Sequence, residues 1–138
     1  MSRNKFTDLN IINLASSAVT VVLLAVLLTM EYLSYQKTVL LDDINGTNNA
    51  EALSNLANIP KVSSFLFLSA TTVYLVINWY EIFLTAKDSD ATEENIQNTY
   101  TNFIAMVFII TGSIMNYSTV YRTNINNINT EVPEEEFL

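Results

Sequence analysis

Two glutamates and a set of amides are the residues in this chain that could do chemistry, because they sit within or at the edges of long charge-free runs. Glu31 precedes Lys37 by six positions, Glu81 precedes Lys87 by six, and Asn116 precedes Arg122 by six. A carboxylate cut off from water has a raised pKa and can carry a cation or a proton. At the edge of an apolar run it reaches the headgroups instead, or pairs with a nearby Lys, Arg or Asn. The second role is expected here, because both glutamates lie well past the middle of their runs. Glu31, Glu81, Lys37, Lys87 and Arg122 are therefore read as interfacial ionisable groups. Antiparallel runs would put Glu31 and Glu81 on opposite membrane faces, too far apart to share a proton. Asn116 falls on the face of Glu31, within reach of a hydrogen bond, and Asn78 is expected to bond across to a neighbouring helix.

Most other chemistry is excluded by composition. The chain has no histidine and no cysteine, which removes imidazole catalysis, thiolates, disulfides and nearly every zinc site. With 2 glycines and 2 prolines there is no glycine-rich phosphate loop. No nucleophile–base pair is visible, so no catalytic residue, metal or cofactor is assigned and no enzyme is expected. The 14 acidic residues against 6 basic ones argue against nucleic acid as a partner, since that needs basic patches to displace counterions.

The elements that must position these residues are three apolar runs: Leu9–Met30, Val62–Tyr80 and Asn95–Tyr121. About 20 helical residues cross a hydrocarbon core, and a helix satisfies its own backbone there. The expected fold is thus all-α: an integral membrane protein with a three-helix transmembrane domain over 1–123. Its spans cover about 9–35, 62–86 and 95–121, followed by a polar, acidic and flexible tail over 124–138. Tyr32 and Tyr35, Trp79, Tyr80 and Phe83, and Tyr117 and Tyr121 mark the helix ends, as interfacial aromatics do. Lys37, Lys87 and Arg122 are expected to finish the three helices. Arg3 and Lys5 precede the first run, but it is too long for a cleaved signal core and no small-x-small site follows, so it is read as an uncleaved anchor.

The first connection holds a turn at Asn45-Gly46 and a capping pair, Asn48 with Glu51, ahead of Ala50, Leu53, Leu56 and Ala57 on one face. It predicts a short surface helix over 49–58, ended by Pro60. The second connection is short and acidic, and Asp90 with Glu93 is expected to open the third helix. Three crossings place the termini on opposite sides. Arg3, Lys5 and Lys87 on one side balance Lys37, Lys61 and Arg122 on the other. The two cations ahead of the first helix favour a cytosolic N-terminus. In a eukaryotic secretory membrane Asn45-Gly46-Thr47 would then be a lumenal glycosylation sequon.

Read at alternating three- and four-residue steps, each run carries small and polar residues on one stripe. These are Asn13, Ser17 and Thr20 in the first, Thr71, Tyr74 and Asn78 in the second, and Gly112 and Asn116 in the third. Helices in lipid associate through small residues and interhelical hydrogen bonds, so the stripes are expected to be packing seams, with Gly112 the best candidate for a close helix–helix contact. The function that follows is a structural or accessory subunit in a larger membrane assembly or homo-oligomer; a membrane component of a virus particle would be one version. Its partners are the bilayer and other membrane subunits or copies of itself. The alternative is a small pore-forming, holin-like or channel-like oligomer whose seams face water. Leu24, Leu27, Phe67 and Ile109 on the seams would block a wide pore but could gate a narrow one.

Overall fold

The computed structural model describes residues 4–130, with side chains described through Thr123. All regular structure among these residues is helical: α1 over Lys5–Asn45, a 3₁₀ segment over Asn49–Asn58, α2 over Ile59–Lys87 and α3 over Glu93–Thr130. Three of the helices are long and apolar enough to cross a membrane. The end of the acidic tail, 131–138, lies outside the described residues.

Each helix begins and ends for a local reason. The Asn4 side chain accepts a hydrogen bond from the Phe6 N–H at 3.0 Å and starts α1. Lys37 does not finish this helix, as the return of charge suggested. Thr38 to Asp43 holds no glycine or proline, so α1 continues until Gly46 turns the chain in the left-handed region at φ 65°. Pro60 does not terminate the surface segment but opens α2, where its missing N–H would have had no partner anyway. Lys87 does end α2. The start of α3 is set by Thr92, whose hydroxyl accepts from the Asn95 N–H at 3.2 Å, while the Asp90 N–H turns back to Asp88. α3 runs past Arg122 to Thr130.

The surface segment sits where the sequence predicts it, but it is a 3₁₀ helix. Such runs are usually short. Here the tighter winding has a clear use. With three residues per turn, Ala50, Leu53, Leu56 and Ile59 fall in one line. Ile59 is buried, Ala50 and Leu56 are half-buried, and Leu53 remains exposed. The segment packs back on the end of α1.

α2 is the middle of the molecule. α1 packs on one side of it and α3 on the other, and the two outer helices make no contact with each other among the described residues. The result is a layer one helix thick. Its core is made mainly of small side chains: Ala18, Ala25, Ser63, Ser64, Ala70, Thr71 and Ser113 are buried, joined by Ile77 of α2, and no large side chain is fully buried. Small residues let helix backbones come close without large side chains between them.

The α1–3₁₀ hairpin is fastened by Asp42. Its carboxylate accepts from the Thr47 hydroxyl, from the Asn49 side-chain amide at 2.9 Å and from the Ala50 N–H at 2.6 Å. Its backbone carbonyl accepts the Thr47 N–H at 3.0 Å. Led by the Thr47 hydroxyl and then the Ala50 N–H, these donors favour the charged form and hold the carboxyl at about 2, below its ordinary 3.8. A lowered pKa means that the contribution to stability is complete above 3.8 and is lost as pH falls towards 2. Hydrogen-exchange protection of the Ala50 N–H, which the carboxylate holds, should therefore persist, corrected for intrinsic rate, from neutral pH down to about 4 and fall between about 4 and 2. Asp42→Ala should remove it at neutral pH. Protection that is unchanged in both conditions would mean that packing, not Asp42, holds the hairpin.

Candidate functional site

Helix faces are the chemistry-bearing feature of this chain, and the structure separates the faces used within it from those left open. On α1 the face towards α2 carries Ala15, Ala18, Val22, Ala25 and Tyr32, all buried or half-buried. Asn13, Ser17 and Thr20 are exposed, on the side of α1 turned away from α2. On α3 the face towards α2 carries Thr99, Phe103, Met106, Ile110, Ser113 and Tyr117. Gly112 and Asn116 lie beside it and are exposed. A Cβ placed on Gly112 would meet nothing within 4 Å. The close approach expected of Gly112 is thus not made inside the chain; Ser113, one position on, makes it. The α2 seam differs, because α2 has neighbours on two sides: Thr71 is buried, and Tyr74 and Asn78 are half-buried.

Polar bonding between helices is sparse. The Tyr74 hydroxyl donates to the Ala15 carbonyl of α1 at 3.2 Å, and the hydroxyls of Thr85 and Thr99 join α2 to α3 at 3.3 Å. The other hydroxyls on the stripes donate within their own helix: Ser17 to the Asn13 carbonyl, Thr20 to Ser16, Thr71 to Leu68 and Ser113 to Ile109. Asn78 does the same, donating to the Tyr74 carbonyl at 2.8 Å rather than across to a neighbouring helix. A Ser, Thr or Asn in an apolar setting can satisfy its donor on the turn below, which leaves it small and nearly apolar towards its surroundings.

Aromatic clusters tie α2 to α3 at both ends. Trp79 meets Phe103 and Phe83 with ring centroids 5.4 Å apart in each case. At the other end Phe65 meets Tyr117 at 6.3 Å, Tyr117 meets Tyr121 at 6.2 Å, and the Lys61 ammonium lies 5.4 Å from the Tyr121 ring centre. The sequence marks Trp79, Phe83, Tyr117 and Tyr121 as an interfacial belt. That reading missed that they also pair two helices, which the matched positions in the antiparallel α2 and α3 would have suggested.

Glu31 is exposed near the end where Lys61 and Tyr121 lie, and Glu81 is half-buried near the opposite end of α2. Among the described residues no hydrogen bond joins Asn116 to Glu31. Asn116 instead lines a largely apolar cleft of about 590 Å³ between α1 and α3, floored by Ser63, Ser64 and Phe67 of α2. A second, polar hollow of about 270 Å³ lies at the other end, lined by Glu81, Thr85, Asp88, Asn98 and Asn102 among others. The two have no lining residue in common. Lys37 and Arg122 are exposed, as is Lys87. Among the described residues no group of three or more carboxylates is placed to hold a metal ion.

Comparison with known protein families, with curated proteins and with solved structures finds no match. The functional reading therefore rests on the helix faces themselves.

Those faces make opposed predictions for two substitutions. Ala18→Leu adds bulk where α1 meets α2 and should cost about 1–3 kcal/mol. Gly112→Leu, facing open space, should leave the unfolding of the single chain unchanged or slightly strengthen α3. Thermal unfolding of detergent-solubilised monomer measures both, and an equal loss from the two would refute the assigned contact faces.

Proposed function

We propose that this chain is an integral membrane protein that spans the bilayer three times and serves as a structural or accessory subunit, packing against copies of itself or other membrane subunits. The observation that carries the reading is the outward stripe of α1. Asn13 lies on a helix face turned away from α2, and its side-chain amide bonds to nothing among the described residues. In lipid such an amide is costly alone and gains by meeting a polar group on another helix. The one-helix-thick layer supports the same reading, because both outer helices keep an open face along their length.

A conducting role finds less support. An ion path needs favourable sites spaced across the whole core. The cleft beside Asn116 and the hollow beside Glu81 share no lining residue, and the former is mainly apolar. Glu31 and Glu81 act in this reading as interfacial anchors near opposite membrane faces.

Three measurements test the proposal. Cysteines introduced at Ser2, Asn48 and Glu135, in a chain with no native thiol, should label with an impermeant reagent so that Ser2 lies on one side and the other two on the opposite side. Labelling of all three from one side would remove a span. Extraction in mild detergent followed by native mass spectrometry should show defined complexes rather than free monomer. In planar bilayers the purified protein should give no discrete conductance, and Glu31→Gln and Glu81→Gln should leave the assembly unchanged. Ion-selective current abolished by either variant would replace the packing reading with a pore.

A further inference from the structure

We propose that the cleft between α1 and α3 holds an acyl chain of an anionic phospholipid, with the phosphate of that lipid at Lys37. This rests on the membrane reading above and names a ligand for one face of the layer. The cleft encloses about 590 Å³, within the range of small-molecule sites. On α1 it runs from Ala25 to Leu33, eight steps of about 1.5 Å or about 12 Å in all. Half of a hydrocarbon core is about 15 Å. The cleft thus spans one leaflet, from Pro60 at the interface inwards to Phe67. A transmembrane helix of another subunit would need a groove through both leaflets, and the hollow beside Glu81 shares no lining residue with this cleft. An acyl chain from the adjoining leaflet matches its length.

The lining suits a hydrocarbon chain. Met30, Leu33, Pro60, Phe67 and Val120 present carbon. Thr29, Ser63 and Ser64 return their hydroxyl protons to carbonyls of their own helices, so they are nearly apolar towards an occupant. The Asn116 amide bonds nothing among the described residues and can donate to a lipid ester carbonyl. Charge decides the headgroup. Lys37 follows Leu33 by four residues and Met30 by seven, so it stands on the same line of α1, about 6 Å beyond the cleft. That is the depth of the headgroup layer, which is about 5–8 Å thick. Lys37 is exposed and makes no ion pair among the described residues. The positions three and four residues to either side are Leu33, Ser34, Leu40 and Leu41, so α1 supplies it no acidic neighbour. Glu31, Asp42 and Asp43 stand about 120–140° round the helix from it. A phosphate above the cleft meets this unpaired ammonium, as basic pockets between membrane spans meet anionic headgroups.

Tryptophan fluorescence tests this, because the chain has a single tryptophan, Trp79. In a Trp79→Phe background a reporter is set at the cleft rim, Met30→Trp, or on the far side of α1, Leu24→Trp. Each full-length protein is reconstituted in phosphatidylcholine vesicles that contain, at equal mole fraction, phosphatidylglycerol or phosphatidylcholine brominated in the acyl chains. Brominated chains quench tryptophan on contact. With Met30→Trp, brominated phosphatidylglycerol should reach half-maximal quenching at about fivefold lower mole fraction, the preference that one lysine near an anionic headgroup gives. With Leu24→Trp the two lipids should quench alike. Adding Lys37→Gln should abolish the preference, and Lys37→Arg should keep it. Equal quenching of Met30→Trp by both lipids, or a preference that survives Lys37→Gln, would overturn the proposal. Quenching of Leu24→Trp alone would also overturn it, because protein then covers the cleft, but would leave the membrane reading standing. No quenching in either variant would remove the membrane reading itself.

Discussion

Close approach of helices over alanine, serine and threonine is the interaction on which the rest of this structure depends. Ala18 and Ala25 of α1, Ser63, Ser64, Ala70 and Thr71 of α2 and Ser113 of α3 are the small residues buried where the helices meet. No large side chain fills a core between layers, because there is only one layer. Leu, Ile and Phe are left on the outside, where Phe108 and Met115 are among the most exposed residues. In water this arrangement would be inside out. In the bilayer proposed for it, the arrangement follows because apolar side chains gain nothing by leaving lipid, whereas backbones that come within reach of each other gain dispersion contact. The three long apolar helices and their small-residue seams are thus two parts of one physical solution.

Much of this was legible in the sequence, and the unread part has a common cause. Charge-free runs located the three helices, and Asn45-Gly46 located the turn. Helix ends were less clear, because a run ends where charge returns while a helix ends only where the backbone is broken. α1 therefore passes Lys37 and stops at Gly46, and Pro60 starts a helix rather than stopping one. The contact faces were harder still. Polarity marks the face of a soluble helix, but in these helices size marks it. The Ala15, Ala18, Ala25 spacing was present in the sequence beside the polar stripe of Asn13, Ser17 and Thr20. The local return of hydroxyl protons to their own helix explains why the polar stripe is not needed for contact within the chain.

Outside the apolar runs the balance reverses and specific hydrogen bonds take over. The Asp42 carboxylate gathers a hydroxyl, an amide and a backbone N–H that would otherwise be left open at the start of the 3₁₀ segment. Asp42, Thr47 and Asn49 thus do for the hairpin what small residues do for the spans. None of them forms a recognisable motif, since Asp42 lies across the turn from its partners and only the fold brings them together. Asn48, expected to pair with Glu51, does donate to its carboxylate, but this bond is peripheral to the Asp42 cluster.

The unbroken course of α1 has a mechanical consequence. It holds 41 residues without a glycine or a proline, a rod of about 60 Å. Its tip is locked by Asp42 to the 3₁₀ segment, and its middle rests on α2 at Ala18 and Ala25. Its contact with α2 is a line rather than a point, running from Ala15, which accepts from Tyr74, to Tyr32 beside Pro60. A load on the hairpin tip thus meets a helix with no built-in hinge, braced along much of its length.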